Sequence, residues 1–274
     1  LESFGGFGFG LGIAGAAMAT VISQVVVFIV FIFMLFFKNH SYISFNLSDF
    51  TFSTDIIWDI IKVGLPASLS MIVMAVGQGV FNKILVHISV NTVAAYQVAG
   101  RLDMLVFLPI FSIAASLTTL VGMFYGAKEY GALRYIIKYG IFSALLITII
   151  SSTIVYTFAG HVVRFFTDDA SIVIIAVNFL QIFAFAYPFI AVGITTGRVL
   201  QGLGKGLPVL IITIVRVLGV SAPLALFFVF IMDKTVEWVW YSMMLSTIVA
   251  FGIGLTWLIS TLKTLPTSGQ SLNN

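Results

Sequence analysis

Seven apolar stretches of roughly 20 or more residues, parted by polar or turn-rich breaks, limit this chain more than any other feature. A helix needs about 20 such residues to cross the hydrocarbon core of a bilayer. The stretches run from Ile13 to Phe37, Ile56 through Pro66 to His87, Thr92 to Tyr125, Leu133 to Ala159, Ser171 to Leu203, Leu207 to Met232, and Val236 to Leu262. Composition agrees: 60% of residues are apolar, 8% are charged and the mean hydropathy is +1.15. A soluble domain carries about a quarter charged residues. The chain therefore reads as an all-α polytopic membrane protein with seven transmembrane helices.

The same composition excludes several functions. With no cysteine there is no disulfide, thiol nucleophile or thiolate-held metal. His40, His87 and His161 are far apart, lack metal-ligand spacing and read as interfacial. The net charge of +3 comes from basic residues spread over the whole length, so no basic run marks a nucleic-acid surface. GxSxG, HExxH and the Walker lysine loop are all missing, so no enzyme is expected, no cofactor is implied, and ATP-driven pumping by this chain alone is excluded.

Organisation follows from the breaks. Residues 1–37 hold one isolated span, 38–55 form the longest linker, 56–264 hold six closely spaced spans, and 265–274 form a polar tail expected to be disordered. Placing the linker in the cytoplasm gathers Lys38, Lys62, Lys128, Arg134, Lys138, Lys205 and Lys263 on that side. Lys83, Arg164 and Lys234 fall opposite, which fits the positive-inside rule. The segment "HVVRFF" after the fourth span reads as interfacial. One helix followed by a bundle of six is an odd complete architecture. It is natural if residues 1–37 close an earlier six-helix lobe, and the opening "LESFGGFGFG", with neither methionine nor signal-peptide pattern, suggests a fragment.

Polar residues inside the spans carry the functional argument. Arg101 lies about nine residues into the third span, about 13 Å of helical rise from its start. Charges at that depth are costly and usually face the protein interior or water. Arg101 and Asp103 point about 200° apart, so each needs its own partner. Gln97 shares the face of Arg101, and Tyr96 that of Asp103. Gln78 and Asn82 share a face of the second span with Met71 and Met74. In the fifth, Asn178 and Gln181 share a face, with Tyr187 before Pro188. Two readings stand: interhelical hydrogen bonds that merely join neighbours, or a substrate cavity lined by Gln78, Asn82, Gln97, Arg101, Asp103, Asn178, Gln181 and Tyr187. Flexible methionines beside such a cavity suit varied amphiphilic ligands. Pro66, Pro109 and Pro188 are expected to kink their spans. Gly193 and Gly197 form a small-xxx-small pair that permits close helix approach. Arg198 reads as snorkelling, and Arg216 sits about ten residues into the sixth span with no readable partner.

The segments "VGLPASLSMIVMAVGQGVFNKILVHIS", "VAAYQVAGRLDMLVFLPIFSIAASLTTLVGMFYGAKE" and "RVLQGLGKGLPVLIITIVR" resemble the second half of a multidrug and toxic compound extrusion (MATE) transporter. The matching elements are Leu65-Pro66, Ala94-Ala95-Tyr96 leading to Arg101, Val121-Gly122, Gly126-Ala127, Gln201-Gly202 and Gly204-Lys205. "GLGIAGAAMATVISQ" resembles the approach to that family's sixth helix. The resemblance implies twelve helices in two lobes with alternating inward and outward access, this chain holding helix six and the C-terminal lobe. It implies a multi-pass protein of the cytoplasmic membrane that exports amphiphilic, often cationic compounds against an H⁺ or Na⁺ gradient. One branch of the family carries acidic cation ligands in helices seven and ten. Met74 and Ile190 stand at the matching positions here, so the resemblance is to the branch whose coupling aspartate lies in the missing N-terminal lobe. The partners expected are small amphiphiles, membrane lipid and that lobe. Rival readings are a lipid-linked oligosaccharide flippase of the same superfamily, an intramembrane lipid-modifying enzyme, or a purely structural subunit.

Overall fold

The computed structural model describes residues 12–37 and 52–266; most of the expected linker and tail lie outside the described residues. The chain divides into two units, Leu1–Ser53 and Thr54–Asn274. The described part of the first is one helix, α1 (Gly12–Phe37), with no buried residue among those in its hydrophobic window. The second holds α2 (Thr54–Ile88), α3 (Val90–Gly126), α4 (Tyr130–Arg164), α5 (Ala170–Gly202), α6 (Leu207–Ile231) and α7 (Glu237–Lys263). All seven described helices are long and apolar enough to cross a membrane. Their bounds fall within a few residues of the expected spans, except that α4 continues through the "HVVR" expected to be interfacial.

Local chemistry starts two of them. Ser89 caps α3, its Oγ accepting from the Thr92 amide at 3.1 Å. Asp169 caps α5, accepting from the Ser171 amide at 2.9 Å and the Ser171 hydroxyl at 2.6 Å. That hydroxyl, helped by the amide, holds the exposed Asp169 carboxyl below its ordinary range.

α5 is the centre of the lobe, packed chiefly against α3 and α4 and then against α7, while α6 lies on α2 and α7. Ala95, Ala99, Ala144, Ala176, Ala186 and Ala191 are fully buried where these helices meet. Association in lipid depends on close van der Waals packing, because greasy side chains gain nothing by leaving equally greasy acyl chains. Small residues let the backbones approach. Gly193 and Gly197, expected to serve this way, do not: a Cβ at Gly193 would meet nothing within 4 Å, and one at Gly197 only ordinary contact with Val209. The close approaches are at Gly77, Gly140, Gly202 and Gly206, which sequence spacing did not single out.

α2, α3 and α5 continue as helices through Pro66, Pro109 and Pro188. Pro188 has no N–H for the Ala184 carbonyl one turn earlier. The Ser152 hydroxyl of α4 donates to that oxygen, so the proline is tolerated because a neighbouring helix supplies the bond. Ser152→Ala is expected to lower the protein's stability by about 1 kcal/mol in a detergent-unfolding titration. Ser152→Thr, which keeps the hydroxyl, should lose less.

α6 is not a uniform α-helix. Val215–Ser221 and Phe227–Ile231 are π-helical, flanking the turn that contains Pro223. Pro223 disrupts the regular ladder, and wider turns on either side absorb the missing donor. The sequence signal was Pro223 itself.

Basic residues gather at one end of the lobe. The Arg134 guanidinium donates to the carbonyls of Leu262 and Leu265 at 3.3 and 3.0 Å, satisfying the open C-terminus of α7. Lys205 reaches Thr261 Oγ1 at 3.4 Å from the α5–α6 turn.

Candidate functional site

The polar residues of the spans fall into two places. The first is an open face on α2 and α3. Gln97 Nε2 donates to Asn82 Oδ1 at 3.4 Å across these antiparallel helices. Gln78 lies one turn from Asn82 on α2, and Arg101 one turn from Gln97 on α3, so the pairing register sets Gln78 and Arg101 at the same level. Gln78, Gln97 and Arg101 are exposed and Asn82 is half-buried. Met71 and Met74 continue this side of α2, 70% and 52% exposed. The result is a patch of amides and one guanidinium in the thirds of α2 and α3 nearest the turn that joins them, bordered by flexible thioethers. Among the described residues, Arg101 makes no ion pair, the one salt bridge being Lys62 with Asp59 at 3.4 Å.

The second place is the lobe interior. Tyr187, fully buried on α5, donates its hydroxyl to Asp103 Oδ1 on α3, where Asp103 is half-buried. Phe107 packs edge-on against Tyr187 with ring centroids 5.3 Å apart. Two turns before Asp103 on the same side of α3, Tyr96 stacks on Trp240 of α7 at 5.8 Å. Phe179 of α5 meets Trp240 edge-on at 4.8 Å and stacks on Phe183 at 4.2 Å. Tyr96 lies in the electrostatic field of both Asp103 and Arg216. Arg216 is half-buried in the first π-helical turn of α6, which brings the residue without a readable partner to the edge of this cluster.

Asn178 and Gln181 are half-buried on α5, and no hydrogen bond joins them to either place; Asn178 Oδ1 is buried without a hydrogen-bond partner among the described residues. Arg198 is exposed and donates to Gln201 Oε1 at 3.2 Å. His87 is exposed against the ring of Phe230, centroids 4.6 Å apart, and His161 lies beside Phe158. His40 lies outside the described residues. No group of three His, Cys, Asp or Glu converges as a metal site among the described residues. Trp240, the largest fully buried side chain, went unmarked in the sequence because one tryptophan in an apolar helix looks the same buried or lipid-facing.

Comparison with known proteins gives a consistent result. The family model described as MatE matches residues 66–227. The chain is 28% identical over 223 residues to the "Probable multidrug resistance protein NorM" of Thermotoga maritima, covering 81% of this chain and 48% of that protein. It is 30% identical over 200 residues to the "Multidrug export protein MepA" of Staphylococcus aureus, covering 73% and 44%. A multidrug resistance MATE family transporter of the MOP superfamily, solved outward-facing, superimposes with TM-score 0.86 at 30% identity, covering 95% of this chain and 59% of that one. A MATE structure in the straight conformation gives 0.87 at 30% identity, covering 94% and 58%. The chain thus spans about half the length of the curated relatives it matches.

Proposed function

This chain belongs to the MatE family, and from that membership we propose that its Thr54–Asn274 unit is one lobe of a secondary transporter exporting amphiphilic, often cationic compounds. Its relatives are named for multidrug resistance and export, and it spans about half their length, which supports a second six-helix lobe as its partner. Export would run by alternating access, driven by an H⁺ or Na⁺ gradient.

The observation that carries this reading is the α2/α3 face. An exposed Arg101 about a third of the way along α3, level with exposed Gln78 and beside Gln97 and Asn82, is costly against acyl chains and inexpensive against water. Such a face belongs to a cavity between two lobes. Amides and methionines there can hold varied ligands by repacking. Arg101 alone would repel a cation, so the reading assigns it a carboxylate from the facing lobe as counter-charge.

The chain has no cysteine, which makes the test clean. Gln78→Cys, Gln97→Cys and Arg101→Cys, reconstituted in lipid, are expected to react with a water-soluble maleimide at least tenfold faster than Ile150→Cys or Ile154→Cys, exposed apolar positions on α4. Ethidium should slow that labelling. Equal rates at Arg101→Cys and Ile150→Cys would end the proposal. Protection by a lipid-linked phosphate and not by ethidium would replace it with the flippase reading.

A further inference from the structure

We propose that the groove between the start of α4 and the end of α7 holds the headgroup of an anionic phospholipid, its phosphate set between Arg134 and Lys263 and an acyl chain laid along the aliphatic side chains of α7. The inference depends on the helices standing in a membrane and not on the exporter reading.

The groove joins the two chemistries that such a lipid presents. An open cavity of about 390 Å³ is lined by Arg134, Ile259, Leu262, Lys263 and Leu265, two cations and three aliphatic side chains with no acid among them. That volume falls within the range of small-ligand sites, about 300–1,000 Å³. Arg134 is held in place there. Its Nη2 donates to the carbonyls of Leu262 and Leu265, which fixes the guanidinium on the end of α7 and leaves the rest of its five-donor fork over. Among the described residues no hydrogen bond uses Nε or Nη1, and neither Arg134 nor Lys263 forms an ion pair. The carbonyl end of a helix offers about half a negative charge, less than the two positive charges brought together here. A phosphate would complete the balance.

Position along the helices matches a headgroup. Arg134 lies one turn into α4 and Lys263 is the last residue of α7, so both cations stand at the ends of their spans. Ile259 lies one turn before Lys263 on the same side of α7 and is exposed, which puts apolar surface on the membrane side of the charges. Beside Arg134 on α4, Tyr135 and Tyr139 are exposed and stack with ring centroids 6.3 Å apart. Tyrosine favours the membrane–water boundary, and basic pockets between membrane helices at that level bind anionic headgroups. The chain supplies no counter-charge of its own. Asp59 pairs with Lys62, neither Asp55 nor Glu129 forms an ion pair among the described residues, and residues 266–274 contain no Asp or Glu.

The test uses the full chain in vesicles of equal parts phosphatidylcholine and phosphatidylglycerol, with a trace of either lipid carrying a photoactivatable diazirine on its acyl chain. Crosslinks are mapped by peptide mass spectrometry and referred to those at Ile150 and Ile154, exposed apolar positions farther along α4. At the segment holding Ile259 and Leu262, the phosphatidylglycerol analogue should label on the order of tenfold more than the phosphatidylcholine analogue. Lys263→Gln should reduce that ratio about fivefold, and Lys263→Arg should keep it. Arg134→Gln should reduce it at least as much. Because Arg134 also closes the end of α7, the Lys263 variants keep the question decidable if Arg134→Gln fails to fold. Lys234→Gln, at the opposite end of the lobe, should leave the ratio unchanged. Equal labelling by the two analogues, or a ratio unmoved by Lys263→Gln, overturns the inference. So does displacement of the phosphatidylglycerol analogue by inorganic phosphate but not by sodium chloride of matched ionic strength, which would make the groove a site for a free anion.

Discussion

Trp240→Ala is expected to be the most damaging single truncation in the lobe, costing about 3 kcal/mol and lowering the unfolding midpoint clearly in a detergent titration. Trp240 is fully buried, stacked on Tyr96 and met edge-on by Phe179, so its ring joins α3, α5 and α7. In lipid the transfer of apolar surface from water contributes little, and the cost lies in lost dispersion contacts and the cavity left behind. Trp240→Phe should recover much of the loss. It also removes Nε1, a buried donor with no hydrogen-bond partner among the described residues. A Trp240→Ala protein as stable as the wild type would mean that this aromatic cluster does not hold the three helices together.

Gly206→Ala is expected to cost about 2–3 kcal/mol although it adds a single methyl group. A Cβ there would lie 2.7 Å from the Val63 carbonyl oxygen, 2.9 Å from Val63 Cα and 3.1 Å from the Lys62 carbonyl oxygen. All three are backbone atoms of α2 and cannot rotate away. The Lys62 carbonyl is the one that Pro66 deprives of its helical donor, so the start of α6 rests where the ladder of α2 is already incomplete. The added methyl must push α6 from α2, and α2 carries Gln78 and Asn82. Gly206→Ala should therefore also change maleimide labelling at Gln78→Cys. By contrast, Gly193→Ala, which meets open space, should fold as well as the wild type.

Much of the architecture was readable because membrane helices obey a one-dimensional rule. With no water at membrane depth, a spanning helix satisfies nearly all its backbone polar groups within its own segment, so about 20 apolar residues announce one. The seven stretches, and the ends of most, follow from that rule. The family followed from specific pieces, among them Leu65-Pro66, Ala94-Ala95-Tyr96 and Gly204-Lys205. The shared face of Gln78 with Asn82, and of Gln97 with Arg101, followed from helical periodicity.

Which polar residues share a place did not follow. Asp103 stands two residues from Arg101 in sequence, yet it bonds to Tyr187 inside the lobe while Arg101 stays on the open face. Helical periodicity says that two residues point apart; it does not say what lies in either direction. The donor for the carbonyl freed by Pro188 comes from Ser152, a residue on another helix. The π-helical turns around Arg216 and the backbone contact at Gly206 likewise depend on neighbouring segments. The sequence alone determined the helices and their polar stripes, because bilayer thickness and helical pitch act within one segment. Tertiary structure alone decided which stripe stays open and which is closed by a partner, because hydrogen bonds and close packing between helices join residues far apart in the chain.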